Sequence, residues 1–235
     1  MDRYIDLSDG RIFVSAYGDE SAFPLVLLHG NSENGSYFIH QIEYFSDRFY
    51  VIAIDSRAHG KSSYNPQIGL SIEKMADDVI KVLAVMDIDK ADFIGFSDGG
   101  NVLIEIAMKK PEIVNKMVIN GANLNMRGVK PLTNLKVLSY YFILSVAGIF
   151  GDKYRRKKEI CRLMINQPRF DYYKVADIQI PTLVIAGSKD LIKESHTRKI
   201  AELIKNSELK IMQGTHFIAV EAPQEFNKTV DNFLK

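Results

Sequence analysis

The stretch FIGFSDGGNVLIEIAMKK, residues 93–110, passes from apolar, β-favouring residues into a helix-like segment across a short polar turn. Ser97 sits in that turn, with Gly95 two residues before it and Gly99 two residues after it. Working outward, the same alternation recurs on both sides. Upstream, LVLLHG (25–30) and YVIAID (50–55) are unbroken apolar runs, the pattern of strands buried on both faces. Ile72, Met75, Ala76, Val79, Leu83 and Met86 recur at three- and four-residue spacing, which predicts an amphipathic helix with Ser71 as its N-cap. Downstream, NKMVING (115–121), PTLVIAG (181–187) and ELKIM (208–212) are further strands, with helices over 193–205 and from Pro223. At the N-terminus, YIDLS and RIFVSAY flank Asp9-Gly10, a pair suited to a hairpin turn.

Strand and helix therefore alternate. The expected class is α/β, a mostly parallel sheet of about eight strands with helices on both faces. One domain is expected over 1–235, since the length suits one good core better than two. The alternation breaks once, over 124–176, where the sequence turns irregular and helix-rich. That segment is expected to be a helical cap, or lid, over the carboxyl edge of the sheet. It holds the apolar run VLSYYFILSVAGIF (137–150) and the basic run KYRRKK (153–158). The first is expected to pack onto the site, with a membrane-surface or dimer contact as its rival. The second is expected to be a solvated helix face, with steering of anionic substrates as the alternative.

Composition narrows the function classes. Formal net charge is +1, with a quarter of the residues charged, so nothing points to a nucleic-acid partner. The fourteen residues of 137–150 fall short of the roughly 20 that a spanning helix needs, so no membrane span is expected. The N-terminus has no apolar run of the signal-peptide kind. Cys161 is the one cysteine, which fits a reducing compartment, and a cytoplasmic location is the expectation. No metal-ligand spacing and no phosphate-binding glycine loop occurs, so neither a metal nor a nucleotide cofactor is expected. The expected partner is a small-molecule substrate, and the oligomeric state is open.

In an open parallel sheet, ligands bind beyond the carboxyl ends of the strands. The residues that follow the strands here are His29-Gly30-Asn31, the run Asp55–Ser62, Ser97, Asp190 and His216. Gly95-Phe96-Ser97-Asp98-Gly99 fits G-x-S-x-G, in which a tight strand-to-helix turn lifts a serine hydroxyl out of the sheet. A serine hydroxyl is a poor nucleophile at neutral pH and needs a base within hydrogen-bond reach. Imidazole suits that work, and a carboxylate on its other nitrogen fixes the tautomer. His216 follows the last strand and is the expected base. His29 and His59 lie in Gly-bounded turns and are expected to be structural, while His40 and His196 lie in helix-like stretches and are expected at the surface. For the carboxylate, the loop after NKMVING offers Asn120, Asn123 and Asn125 but no acid, which favours Asp190.

LLHG (27–30), DSRAHGKS (55–62), GFSDGG (95–100), VIAGSKD (184–190) and GTHF (214–217) together resemble the α/β-hydrolase superfamily over nearly the whole chain. The serine at the turn resembles the esterase-type branches, and Ser-Asp-Gly-Gly is similar to the biphenyl-hydrolase-like (valacyclovirase) members. The resemblance implies Ser97 as nucleophile, His216 as general base and acid, and Asp190 as the orienting carboxylate. It implies an oxyanion hole built from the backbone N–H groups of Asn31 and Asp98. Cleavage of a small or medium carboxylic ester through an acyl-enzyme is the activity it implies. A C–C bond hydrolase or perhydrolase using the same triad, and a non-catalytic ligand binder, are the alternatives. Ala58 departs from the family's frequent glycine, with little consequence expected for the chemistry. The Asp98 side chain has two readings: an acid favoured by the helix dipole, or a charge that attracts an amino-bearing substrate.

Overall fold

The chain opens with a β-hairpin, β1 (Asp2–Leu7) and β2 (Gly10–Tyr17), paired antiparallel across the Asp9 turn. In the computed structural model, which describes residues 1–235 apart from the side chain of Phe150, six more strands continue the sheet. They are β3 (Pro24–Leu28), β4 (Tyr50–Ile54), β5 (Ala91–Phe96), β6 (Val114–Asn120), β7 (Thr182–Gly187) and β8 (Ser207–Met212). The strand order is β1-β2-β4-β3-β5-β6-β7-β8. Pairing is antiparallel from β1 through β2 to β4, and parallel from β4 to β8. The carboxyl ends of the parallel strands therefore open on one edge.

Each apolar strand feeds two cores because its side chains alternate between faces. Along β3, Val26 and Leu28 enter one core while Leu25 and Leu27 enter the other. The first core is covered by α2 (Ile72–Val85), α3 (Asp98–Lys109), α6 (Tyr172–Ala176) and α7 (Glu194–Leu203). The second is covered by α1 (Ile39–Phe45), α8 (Ile218–Glu221) and α9 (Pro223–Leu234). Coverage on both faces is the reason these strands are unbroken apolar runs rather than alternating ones. The Ser71 side chain accepts a hydrogen bond from the Lys74 N–H at 3.2 Å, capping α2.

Between β6 and β7 the chain leaves the sheet and forms α4 (Pro131–Ala147), α5 (Asp152–Asn166) and then α6. α4 and α5 pack against each other, and the Cys161 thiol, buried on α5, donates to the Val137 carbonyl of α4 at 3.6 Å. The fold is α/β, with eight mostly parallel strands, helices on both faces and this helical insertion. Among the described residues, no helix is long and apolar enough to cross a membrane.

Candidate active site

Ser97 stands between the end of β5 and the start of α3, with φ 53° and ψ −117°, a left-handed backbone that a side chain disfavours. The turn is held by its surroundings. The Ser97 N–H donates to the Asn120 carbonyl of β6 at 2.8 Å, and the Ser97 carbonyl accepts from Asn101 N–H at 3.1 Å. The flanking glycines are dictated by close backbone approach. A Cβ on Gly99 would lie 1.9 Å from the Leu28 carbonyl oxygen, and one on Gly95 would lie 2.6 Å from the Gly99 oxygen. Only glycine fits either place.

The residues after the other strand ends meet at the same edge. His216, in the turn after β8, is buried, and its Nδ1 donates to Asp190 Oδ1 after β7 at 2.7 Å. Asp190 Oδ1 also accepts the Ile192 N–H at 2.8 Å, which fixes the carboxylate. The His216 turn is braced by Glu221, which accepts from the Thr215 N–H at 2.7 Å and from the Thr215 hydroxyl at 2.6 Å. The imidazole lies against the Phe96 ring, centroids 4.8 Å apart. Ser97 and His216 line one cavity of about 210 Å³ together with Asn31 and Asp98. Apolar side chains make up most of the remaining wall, among them Met126 and Val129, Val137 of α4 and Met164 of α5. Neither the Asn31 N–H nor the Asp98 N–H donates to a protein acceptor among the described residues.

A family model described as the alpha/beta hydrolase fold matches residues 24–159, more than half of this chain. The chain belongs to the alpha/beta hydrolase family. It is 27% identical to a putative carbamate hydrolase, RutD, of Rhizobium rhizogenes, over 90% of this chain and 92% of that protein. It is 29% identical to the human serine hydrolase BPHL, over 80% of this chain and 70% of that protein. Among solved structures, Est816, described as an N-acyl homoserine lactone degrading enzyme, superposes with a TM-score of 0.79 at 26% identity. That match covers 98% of this chain and all of Est816.

In this alpha/beta hydrolase the Asp98 carboxylate is tied up within the protein. It accepts from Asn31 Nδ2 at 2.9 Å and from Asn101 Nδ2 at 3.1 Å, and it is buried. Burial raises its pKa, and the two amide donors only partly oppose that shift. Asn31 Nδ2 also donates to the Ile160 carbonyl of α5 at 3.0 Å, so one amide joins the loop after β3, the serine turn and the insertion. Asn101 and Asn123 extend the network, with the Asn123 N–H donating to Asn101 Oδ1 at 3.0 Å. Sequence reasoning passed over Asn101 because it sits within a helix, three residues beyond Asp98. That spacing places both on one helix face and was the available signal.

The remaining histidines divide differently from expectation in one case. His29 is buried, takes the Ser56 N–H on Nε2 at 2.9 Å, and places Nδ1 2.7 Å from the Gly30 carbonyl oxygen. Burial lowers its pKa to about 4. His59, buried beside it, is lowered to about 3 by burial and then by His29. Both act as neutral struts between turns. His40 lies on α1 with its side chain 43% accessible to solvent. His196 is not a surface residue. It is half-buried on α7, and its Nε2 accepts the Leu124 N–H at 2.9 Å where the insertion leaves the sheet. Ala58 has φ 65°, a left-handed conformation, which is the physical reason glycine is frequent there.

Proposed function

We propose that the protein is a cofactor-independent serine hydrolase acting on a small carboxylic ester through an acyl-enzyme. One observation carries the reading: a serine on a strained turn shares its cavity wall with an imidazole whose other nitrogen is hydrogen-bonded to a buried carboxylate. Relatives named as a serine hydrolase and as a putative carbamate hydrolase support hydrolysis as the reaction class.

In this reading Ser97 Oγ attacks the ester carbonyl carbon while its proton passes to His216 Nε2. The imidazolium that forms keeps its Nδ1–H on Asp190, whose charge stabilises it and whose bond to Ile192 holds it in place. The carbonyl oxygen, now an oxyanion, takes hydrogen bonds from the N–H groups of Asn31 and Asp98. Each such donor is worth roughly 10²–10³ in kcat. Collapse breaks the C–O bond, and His216 returns its proton to the leaving alcohol. Water then attacks the acyl-enzyme as His216 takes its proton. A second collapse releases the carboxylic acid and returns the proton to Ser97.

The Asp98 side chain serves as a positioning group for Asn31, whose amide bonds one of its oxygens while the Asn101 amide bonds the other. Residues 124–176 serve as the lid, with Val137 and Met164 shaping the acyl pocket from above. The cavity lies below the roughly 300–1,000 Å³ common for drug-sized ligands, which supports a short acyl group. Hydrolysis of p-nitrophenyl acetate, butyrate and octanoate by wild type and by Ser97→Ala tests the proposal. Turnover should favour acetate or butyrate over octanoate, and should fall at least ~10⁴-fold in the variant. Equal turnover by the two proteins would overturn the assignment.

A further inference from the structure

α4 carries apolar residues on two faces, and only one of them meets the protein. Val137 and Leu144 point inward, the first to the cavity and the second into a buried contact. On the opposite side Leu132, Leu135, Leu138, Phe142, Ile143 and Val146 are each 48–70% exposed. Their spacings of three, four and seven residues gather them into one stripe along the helix. Ile149, just beyond the end of α4, is 75% exposed and prolongs it. Singly exposed apolar residues are ordinary, but a continuous stripe of this kind marks an interaction surface.

Charge identifies what covers it. The hairpin 131–158 holds six cations, Lys136, Lys153, Arg155, Arg156, Lys157 and Lys158, against one carboxylate, Asp152. Its net charge of +5, in a chain whose total is +1, leaves −4 for everything else. Lys136 is exposed on α4 itself, and Lys153, Arg155 and Lys157 are exposed on α5. The Arg155 Nε donates to the Gly148 carbonyl at the end of α4, and Lys153 and Lys157 line a groove with Tyr140 of α4. Two copies meeting stripe to stripe would bring two such clusters together, and like charges at that range repel. A surface that is apolar within and anionic at its rim complements both features.

We propose that the outer face of the α4–α5 hairpin docks on an anionic lipid bilayer, with α4 lying in the interface plane. At seventeen residues α4 is about 25 Å long, and its inner face is committed to the protein, so it rests on the bilayer and does not span it. The stripe enters the headgroup–acyl boundary while the exposed Lys136, Lys153, Arg155 and Lys157 stay among the headgroups. Each basic residue near such a surface contributes about a fivefold gain in affinity, which salt screens. This inference is independent of the chemistry proposed for Ser97.

The test is co-sedimentation of the full chain with vesicles of phosphatidylcholine alone or with one quarter phosphatidylglycerol, at low and high salt. Wild type should bind the anionic vesicles, release in high salt, and bind neutral vesicles far more weakly. Lys153→Gln with Lys157→Gln should weaken binding roughly 25-fold. Phe142→Ser with Ile143→Ser should weaken it at least about tenfold. Both pairs lie on the surface, and an unchanged circular dichroism melt shows that the variants fold. Absence of binding by wild type, or binding equal on neutral and anionic vesicles, would overturn the proposal. So would a wild-type dimer that Phe142→Ser dissociates and that ignores vesicles, because the stripe would then belong to a second copy.

Discussion

A methyl group on Gly121 would lie 2.7 Å from His216 Cε1 and 2.8 Å from Nδ1, so the imidazole occupies space that only glycine leaves open. Gly121 also has φ 66°, in the region that disfavours a side chain. Gly121→Ala should therefore push the ring off its seat against Asp190. Misplacement of a reacting group by about 1 Å costs on the order of 10²-fold, and kcat on p-nitrophenyl acetate should fall by that much while circular dichroism is retained. A variant with the wild-type kcat would show that His216 is not positioned by this contact. Asp190 and His216 were legible because they follow strands, and a parallel sheet gathers strand ends. Gly121 carries no chemistry of its own, so its part becomes visible only once the ring beside it is placed. His196 misled for a related reason: helical periodicity assigns a face, but it cannot say that the face meets the root of an insertion.

Strands β3 to β7 could be read from sequence because burial on both faces leaves apolar runs that are too short for buried helices and end in turn residues. The cap of α2 was equally plain, since Ser71 stands directly before the first periodic residue. The insertion was legible only as a break in the alternation. α4 is apolar on both the inner and the outer side, so the contrast that marks an amphipathic helix is missing. Several polar contacts help tie this insertion to the rest of the fold, three of them at its root and over the site. His196 Nε2 takes the Leu124 N–H, its ring lies where a Gly128 Cβ would stand, and Asn31 reaches the Ile160 carbonyl. His196→Ala removes the only acceptor seen for a partly buried N–H among the described residues, a loss of about 1–3 kcal/mol. Urea denaturation should register that loss, and hydrogen exchange should quicken at 124–130 in particular. Protection unchanged over that segment would mean that His196 is not what anchors it.

Across the whole molecule, the buried neutral histidines set how stability answers to acid. His29 and His59 resist protonation down to about 4 and about 3 in the native state, whereas both titrate near 6.5 once unfolded. Native pKa values lowered in this way give stability that is complete above 6.5 and is lost as the pH falls below it. The unfolded chain then takes up protons that the fold refuses. Each histidine contributes about 1.4 kcal/mol per pH unit in that window. The Asp98 carboxyl, raised by burial, works in the opposite sense and reduces the total. A net loss of about 2–4 kcal/mol between pH 6.5 and 5 is expected from urea titrations, and His59→Asn should flatten the slope. Stability constant over that range would contradict the neutral assignment. These struts hold the turns after β3 and β4, from which Asn31 faces Ser97 across one cavity. The central claim is that this cavity performs acyl transfer at Ser97. It is tested most directly by intact-mass and peptide analysis after treatment with a fluorophosphonate. One covalent adduct, mapped to Ser97 and absent in Ser97→Ala, is the expected result. A wild-type protein that stays unlabelled, or that is labelled equally when Ser97 is replaced, would contradict it.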